Sequence, residues 1–442
     1  MPNKQSITAT QNDKFIEDQK IFHYIGEQHY SFVSGCLSVI DTIRQDDGPP
    51  LSLDPNLTKH LTKEQSAELK ELSLLFARHV TASVDSKSKG PDGGLTLSSE
   101  DWDPEVFFVF EKMIMEAGRK VKRPEHAALM SRSMLVILVS GFETLMTDLA
   151  TKILQIRPGI SKVEESSITL SELRNLDSVD DARDHLIANT VEDLARGSIE
   201  DWIKWFARFD VDLKKVTGDW TRFREIFARR NLVVHTNGKV SSQYLSVLKD
   251  TNAEVETLPI KGTVLEPTVE YLESSCQLML AAGALLVTSV SMKLFPTSIQ
   301  SPINWSLGVA EIALEERNFS CSLDITRKLS ELCKGRADLI VDCRIRSTSW
   351  AARTMLGEID SVSAEASAWD IRGIDPLYAH IKSVFEQDYD LALKQINSLT
   401  QSGRLKKVSV LTSNTYEPLR RHLGESLFER LGLSGADSPS TK

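Results

Sequence analysis

Two residues near the middle of the chain carry side chains that could act together on a phosphate. Arg230 and His235 are five residues apart in the segment 229–235, whose sequence is RRNLVVH. The planar guanidinium of an arginine can donate two hydrogen bonds to a phosphate. The imidazole of a histidine transfers protons near neutral pH. Residues of these two types therefore suit binding or cleavage of a phosphodiester.

Helical spacing places Arg230 within an apolar surface. On a helix over residues 220–235, Arg230 lies at the centre of a stripe. The stripe is otherwise apolar and consists of Phe223, Ile226, Phe227 and Val234. A buried charge needs a partner, and two kinds remain open. One is an acid such as Glu143 in a structural ion pair, and the other is a phosphate in a cleft or at a dimer seam.

His235 lies about 140° from Arg230 around an ideal helix, so one straight helix does not place both side chains on one face. They would converge only at a cleft rim or across a two-fold axis between two copies. His235 could equally be a surface or capping residue at the helix C-terminal end, where the helix dipole favours its protonated form. Asn231 offers an amide that could hold His235, RNA or the backbone.

The elements that position these residues are predicted to be helices throughout, which indicates an all-α fold. We expect an N-terminal helical region over 1–84, a linker over 85–103, and a central helical bundle over 104–295. A further helical region follows over 296–432, with a disordered tail over 433–442. In the bundle, a long apolar helix over 126–155 precedes the motif helix over 221–235. Asn237 and Gly238 end the motif helix, and a closing helix covers 266–294.

The charge of the chain limits the possible partners. The net charge is −10 over 442 residues, which argues against a surface that is basic throughout. Residues 201–239 nevertheless hold nine Lys or Arg against five Asp or Glu, so the motif lies in a locally basic segment. The polar N-terminus and an apolar stretch of about 13 residues at 278–290 predict a cytoplasmic protein without a membrane span.

No motif for a nucleotide loop, a zinc protease or a serine hydrolase is present, and the nine histidines are scattered. We therefore expect no metal site and no cofactor. The five cysteines form no C-x-x-C pair, which indicates reduced, buried thiols. Three tryptophans could stack on bases, although their helical spacing is more typical of core positions. They are Trp202, Trp205 and Trp220.

Arg230-Asn231-x-x-x-His235 resembles the R-N-x-x-x-H signature of the HEPN superfamily (higher eukaryotes and prokaryotes nucleotide-binding domain). Three flanking segments are also similar to that family, and together they span about 104–295. Upstream, the apolar segment 135–145 (LVILVSGFETL) contains Phe142-Glu143. The segment 194–201 (LARGSIED) enters the next helix, and the segment 236–245 (TNGKVSSQYL) follows the histidine. The likeness is greatest to HEPN proteins of RNA-processing and defence systems.

The resemblance implies a metal-independent endoribonuclease that acts as a homodimer, as a toxin or antiviral-defence effector. The RNA 2′-hydroxyl would attack the neighbouring phosphate. Arg230 would bind that phosphate, His235 would transfer protons, and Asn231 would position one of them. Glu143 is a further candidate, with pairing to Arg230 as its alternative role. A rim of cations could track the RNA backbone, or could be a solvated helix face. The rim comprises Lys214, Lys215, Arg222, Arg224 and Arg229.

The C-terminal region contains a faint repeat. Residues 314–322 and 384–392 align as an apolar helix, a polar turn, an aromatic and a small residue, with Ser322 and Ala392 seventy positions apart. This spacing is about two periods of the tetratricopeptide pattern, with a degenerate unit near 350–359. Tetratricopeptide-like hairpins or generic helical packing remain open. Such hairpins would form a surface for an antitoxin or sensor protein.

Two other functions remain open from the sequence. A non-catalytic HEPN module would bind RNA or a protein without cleaving RNA. A helical scaffold would act through its C-terminal hairpins, and His235 would then have no effect on its activity.

Overall fold

The computed structural model describes residues 4–46, 61–85, 102–121, 123–160, 167–174, 176–250 and 259–431. The described residues are 79% helical, and no strand or sheet occurs among them. The predicted all-α class is therefore confirmed. The one extended pairing among the described residues is an isolated antiparallel bridge between Lys239 and Val264. Most of the predicted linker and the predicted tail lie outside the described residues.

Eleven helices of the described residues precede the C-terminal region. They are α1 (Lys4–Asp46), α2 (Lys63–Asp85), α3 (Pro104–Val121), α4 (Arg123–Ile156), α5 (Leu170–Leu173), α6 (Val179–Ala195), α7 (Ile199–Ala207), α8 (Leu213–Val216), α9 (Trp220–Thr236), α10 (Ser242–Asp250) and α11 (Val269–Leu294). Nine follow among the described residues: α12 (Gln300–Glu315), α13 (Phe319–Leu332), α14 (Leu339–Met355), α15 (Ile359–Ala368), α16 (Pro376–Phe385), α17 (Tyr389–Gln401), α18 (Lys407–Thr412), α19 (Glu417–Leu423) and α20 (Ser426–Arg430).

The chain forms two compact units. The larger comprises Met1–Leu37, Met134–Leu265 and Glu270–Lys442, and the smaller comprises Ser38–Ser133 and Glu266–Val269. In the smaller unit, α2 and α3 pack through an apolar cluster that includes Leu69, Leu72, Val106, Val109 and Phe110. All candidate site residues belong to the larger unit. The domain boundaries predicted from the sequence remain predictions.

Local signals in the sequence set several helix ends. Thr62 and Gln65 form the predicted capping box before α2, because each backbone N–H donates to the other side chain (3.0 and 3.2 Å). The closing helix begins at Val269 and not at Glu266, and Pro267 therefore precedes its first turn. The sequence did not indicate α6, which buries only Ile187 and Val191.

The C-terminal helices form successive hairpins joined by turns of one geometry. Arg317, Gly357 and Gln387 adopt a left-handed φ of 66°, 95° and 65°. In each turn, the N–H of the following residue donates to a carbonyl five residues back (2.8 to 3.0 Å), which satisfies the end of the first helix. The turns are 40 and 30 residues apart, so the seventy-residue spacing is not two equal periods. The tetratricopeptide relationship remains a prediction.

Two helices have the length and composition of a membrane span, within Ala127–Ile156 and Val269–Leu294. The apolar stretch of α11 is thus longer than the 13 residues counted from the sequence. In this structure 94% of its apolar window is buried, against 50% for the first helix. A core helix and a membrane span can share such a composition, and the predicted absence of a membrane partner stays a prediction.

A buried histidine lies beneath the motif helix. The Nε2–H of His29 donates to the carbonyl oxygen of Met279 (3.1 Å), and its ring packs edge-on against Phe142. The ring also lies so close to Gly283 that a side chain there would collide with it. Burial lowers the pKa of His29 to about 4, although the hydrogen bond to Met279 opposes this shift. His29 is therefore neutral in the folded chain.

We expect His29 to make the fold acid-sensitive. Between pH 6.5 and about 4 the unfolded chain binds a proton at this position and the folded chain does not, so stability falls as pH falls. The loss is about 3 kcal/mol. Denaturant unfolding at pH 7 and pH 4 should show a smaller acid loss in His29→Gln than in the wild type. His23→Gln, an exposed position on the same helix, should behave like the wild type. Equal acid losses in all three proteins would contradict the prediction.

Candidate functional site

Both ends of the motif helix α9 are fixed by caps. At its start, the Asp219 carboxylate accepts a hydrogen bond from the backbone N–H of Arg222 (3.0 Å). At its end, Asn237 adopts a left-handed φ of 52°. The N–H of Gly238 then donates to the carbonyl of Leu232 (2.9 Å). The predicted Asn-Gly terminator is confirmed, and it places His235 in the last turn of α9.

The apolar stripe of α9 runs from the core to the surface. At the buried end, the rings of Phe223 and Phe227 contact Phe142 of α4 (centroids 5.1 and 6.3 Å apart). At the other end, Val234 is 50% exposed. The last turn of the stripe therefore reaches solvent. Arg230 lies between these two ends.

Arg230 is paired with Glu143. Its Nη2 donates to Oε1 of Glu143, and both side chains remain partly exposed, at 21% and 32%. The structural ion pair, one of the two partners considered from the sequence, is therefore present. Burial raises the pKa of Glu143, and the nearby Arg230 opposes this rise. The pair thus leaves a carboxylate that holds its charge less firmly than a free glutamate.

Glu143 does not use all the donors of Arg230. The Nε–H of Arg230 is buried and has no acceptor among the described residues. A guanidinium has five N–H donors, and Glu143 takes one of them. Arg230 therefore has unused hydrogen-bond donors and lies between the buried and the exposed end of the apolar stripe. This arrangement is compatible with an additional anionic ligand.

His235 and Asn231 lie on another side of α9. They are four residues apart, so they share a face on which their Cβ atoms are about 5–6 Å apart. Both side chains are exposed. Along the axis, His235 is about 7.5 Å beyond Arg230. One copy of the helix therefore presents Asn231 and His235 on one face and Arg230, paired with Glu143, on another.

A polar network that the sequence analysis missed holds the opposite side of α9. The Glu225 carboxylate accepts hydrogen bonds from Arg229 Nε (2.8 Å), Tyr244 OH (2.6 Å) and Tyr271 OH (2.8 Å). The guanidinium of Arg229 lies 4.4 Å from the centroid of the Tyr271 ring. The network therefore joins α9 to α10 and α11. The spacing of Glu225 and Arg229, four residues on a helix, was its only visible signal.

The pKa values in this network follow from its charges. Burial raises the pKa of Tyr244 and Tyr271, and the Glu225 carboxylate adds to the rise. Burial would lower the pKa of Arg229, but Glu225 outweighs it and the net direction is upward. All three groups therefore keep their ordinary protonation at neutral pH, and Glu225 is the shared acceptor.

Loss of that acceptor should destabilise the chain. Glu225→Ala would leave a buried guanidinium and two tyrosine hydroxyls without their carboxylate, at a cost of about 3 to 5 kcal/mol. Urea unfolding of the full chain measures this loss. Glu192→Ala is the matched control, since it removes an exposed i,i+4 partner of Arg196 and should leave the midpoint unchanged. A Glu225→Ala midpoint equal to that of the control would show that the network does not stabilise the fold.

The five predicted rim cations differ in their surroundings. Lys214 and Lys215 are exposed. Arg224 pairs with Glu200 (2.9 Å), and Arg222 donates to the Ser274 hydroxyl. Arg229 is held in the Glu225 network, so a contact between Arg229 and RNA would require that network to open. Lys214 and Lys215 are therefore the two exposed rim residues, with Lys215 near Asp212 (3.7 Å) and Lys214 above the Trp220 ring (5.9 Å from its centroid).

The segments that carry the family resemblance make contacts with α9 or cap a neighbouring helix. Phe142 packs against the Phe223 and Phe227 rings of the stripe, and Glu143 forms the ion pair with Arg230. The backbone and hydroxyl of Ser198 both donate to the Asp201 carboxylate (2.9 and 2.7 Å), which caps α7. Tyr244 donates to Glu225.

Trp202 and Trp205 of α7 are buried, so of the three tryptophans only Trp220 is partly open to solvent.

Within the described ranges, no three His, Cys, Asp or Glu side chains form a group that could hold a metal ion. The predicted absence of metal and cofactor remains a prediction.

In comparisons with known proteins, no family model matches the sequence. Neither a curated protein nor a solved structure matches it significantly. The resemblance to HEPN proteins therefore depends on the motif, its flanking segments and the contacts described above.

Proposed function

We propose that the chain is a metal-independent HEPN-type endoribonuclease, a toxin or defence effector of the cytoplasm. The observation that carries the proposal is the incompletely satisfied guanidinium of Arg230, which is partly exposed within an apolar stripe, five residues before His235. Exposed Lys214 and Lys215 of the same basic segment support it, since RNA binding draws on such cations.

The proposed reaction needs only groups of the protein and of the RNA. The RNA 2′-hydroxyl loses a proton and attacks the adjacent phosphorus, and the bond to the 5′-oxygen breaks. His235 moves protons at the 2′-hydroxyl or the leaving oxygen, and Arg230 stabilises the extra negative charge on the phosphate. The products are a 2′,3′-cyclic phosphate and a 5′-hydroxyl. Asn231 positions His235 from one turn away.

The proposed enzyme is a homodimer. Within one chain, Arg230 and His235 lie on different sides of α9, and a second copy related by a two-fold axis would bring one residue of each type together. In the proposal, Arg230 of one copy acts with His235 of the other. Glu143 holds Arg230 in the resting chain and releases it to the scissile phosphate. The C-terminal hairpins would bind an antitoxin or a sensor protein.

Digestion of RNA by the purified chain in a chelator tests this function. Wild type should cut RNA, leave cyclic phosphate ends and fail on RNA with a 2′-deoxy nucleotide at the cleaved position. Loss of cleavage in the chelator would overturn the metal-independent mechanism. RNA binding without cleavage would instead support a non-catalytic HEPN module. The Arg230–Glu143 ion pair favours this alternative, because it gives Arg230 a structural partner. Expression in cells should arrest growth only when His235 is intact.

A further inference from the structure

A groove remote from Arg230 lies where the end of α11 meets α8 and α13. The segment 210–216, the last turns of α11 and the C-terminal half of α13 enclose a volume of about 490 Å³. Cavities of roughly 300–1,000 Å³ hold small organic ligands. The groove is thus large enough for a molecule with one ring system and a charged tail.

The floor of the groove is apolar but contains one unsatisfied polar group. Val211, Val216 and Met292 are buried and line it. Ser289 lines it too and is 92% buried, being 8% exposed, yet its hydroxyl has no hydrogen-bond partner in the described part of the chain. A buried hydroxyl without a partner is costly. A ligand with a flat apolar face and a polar edge would cover the apolar side chains and form a hydrogen bond with the Ser289 hydroxyl.

The rim carries four cations that could hold phosphate. Lys215, Lys293 and Lys328 each lie near an acid at 3.7, 3.9 and 3.0 Å. Surface pairs of this kind contribute little to stability, so a phosphate can recruit these amines at small cost. Arg336 has no acidic partner among the described residues. Its guanidinium can therefore take a phosphate directly.

The acids of the same rim suit a sugar. Asp210, Asp212 and Glu331 lie among the cations and accept hydrogen bonds only. A ligand of phosphate alone would be repelled by three carboxylates and would leave the floor empty. A nucleoside phosphate would match both kinds of charge on the rim. A carboxylate would accept hydrogen bonds from the ribose hydroxyls, and the neighbouring cations would bind the phosphates.

We propose that this groove binds a nucleoside phosphate. The base lies on the aliphatic floor beside the Ser289 hydroxyl, the ribose faces Asp212, and the phosphates lie among Lys293, Lys328 and Arg336. The groove shares Lys215 with the proposed RNA rim but contains neither Arg230 nor His235, so nucleotide binding there does not depend on nuclease activity. Because the groove joins α8, α11 and α13, an occupant would link the segment before the motif helix to the C-terminal hairpins.

Calorimetric titration of the full chain with ATP, GTP, CTP and UTP tests the proposal, with tripolyphosphate and the free nucleosides as comparisons. At least one nucleotide should bind more tightly than both its nucleoside and tripolyphosphate. Lys293→Gln with Lys328→Gln should weaken that binding by about tenfold or more. Lys204→Gln with Lys394→Gln, both exposed and outside the groove, should leave it unchanged.

Ser289→Ala separates the floor from the rim. Its hydroxyl has no hydrogen-bond partner to lose among the described residues, so the thermal midpoint should stay the same or rise, while nucleotide affinity falls by about threefold to tenfold. The proposal is overturned if no nucleotide binds, or if tripolyphosphate binds as tightly as the best nucleotide. It is also overturned if only RNA oligomers bind, or if the groove variants bind like the wild type.

Discussion

His235→Ala is expected to lower the rate of RNA cleavage by about 100- to 10,000-fold, the contribution typical of a positioned acid or base. The fold should be unaffected, because the His235 side chain is exposed and forms no hydrogen bond or ion pair with the described residues. RNA affinity should change little, because the proposal assigns phosphate binding to Arg230 and the exposed lysines. The loss should therefore appear in the rate at saturating RNA. Single-turnover cleavage of a labelled oligonucleotide measures it.

The control for this variant is a partly exposed histidine of the larger unit. His185 of α6 lies near Glu172 and Asn189 (3.8 and 3.1 Å) and has no place in the proposed site. His185→Ala should therefore cut RNA at the wild-type rate. If His235→Ala also does so, His235 is not catalytic and the proposed nuclease mechanism is wrong. Equal losses in both variants would point to a general effect of surface histidines on RNA capture.

Features set by neighbouring residues were predictable from the sequence. Thr62 with Gln65, and Asn237 with Gly238, act within one helical turn, so their types and spacing are enough to place a helix end. Phe223 and Phe227 are likewise buried as their periodicity predicts. The pairing of Arg230 with Glu143 was one of two options, because an arginine in an apolar stripe requires a partner but does not specify it.

Features set by distant residues were not predictable. Tyr271 lies 46 residues beyond Glu225, and no local pattern reveals that their side chains meet. The same holds for Arg222, whose partner Ser274 is 52 residues away. The exposure of Val234 depends on where α4 ceases to cover α9, which is a property of the tertiary packing. The geometry of a single helix therefore could not show which part of the stripe is buried or which rim cations have partners.

The groove at Ser289 could not be predicted from the sequence either. Its lining comes from three segments that are about 40 to 80 residues apart in sequence. In the sequence, Ser289 is a small residue within an apolar run, which predicts only a buried helix. Its missing hydrogen-bond partner is visible only after packing. The nuclease proposal therefore depends mainly on a motif, whereas the nucleotide proposal depends on the folded surface alone.

Arg230→Ala and His235→Ala chains should restore activity to each other when they are paired in one dimer. Each homodimer lacks one group in both sites and should be nearly inactive. The mixed dimer retains one intact Arg230 and one intact His235 on different copies. If the site joins those two residues across a two-fold axis, one of the two sites is complete. The mixed dimer should then cut RNA at up to about half the wild-type rate, hundreds of times faster than either parent.

Co-expression with two different affinity tags and purification on both isolates the mixed dimer. Dimers of each variant with itself, purified through the same two tags, are the controls. Because Arg230→Ala leaves Glu143 unpaired, its helical content must match the wild type before rates are compared. A mixed dimer as inactive as its parents would contradict a site shared in this way, since helix geometry keeps the two residues of one chain on different faces. If no mixed dimer can be isolated, the dimer itself is excluded, and Arg230 would remain only the ion-pair partner of Glu143.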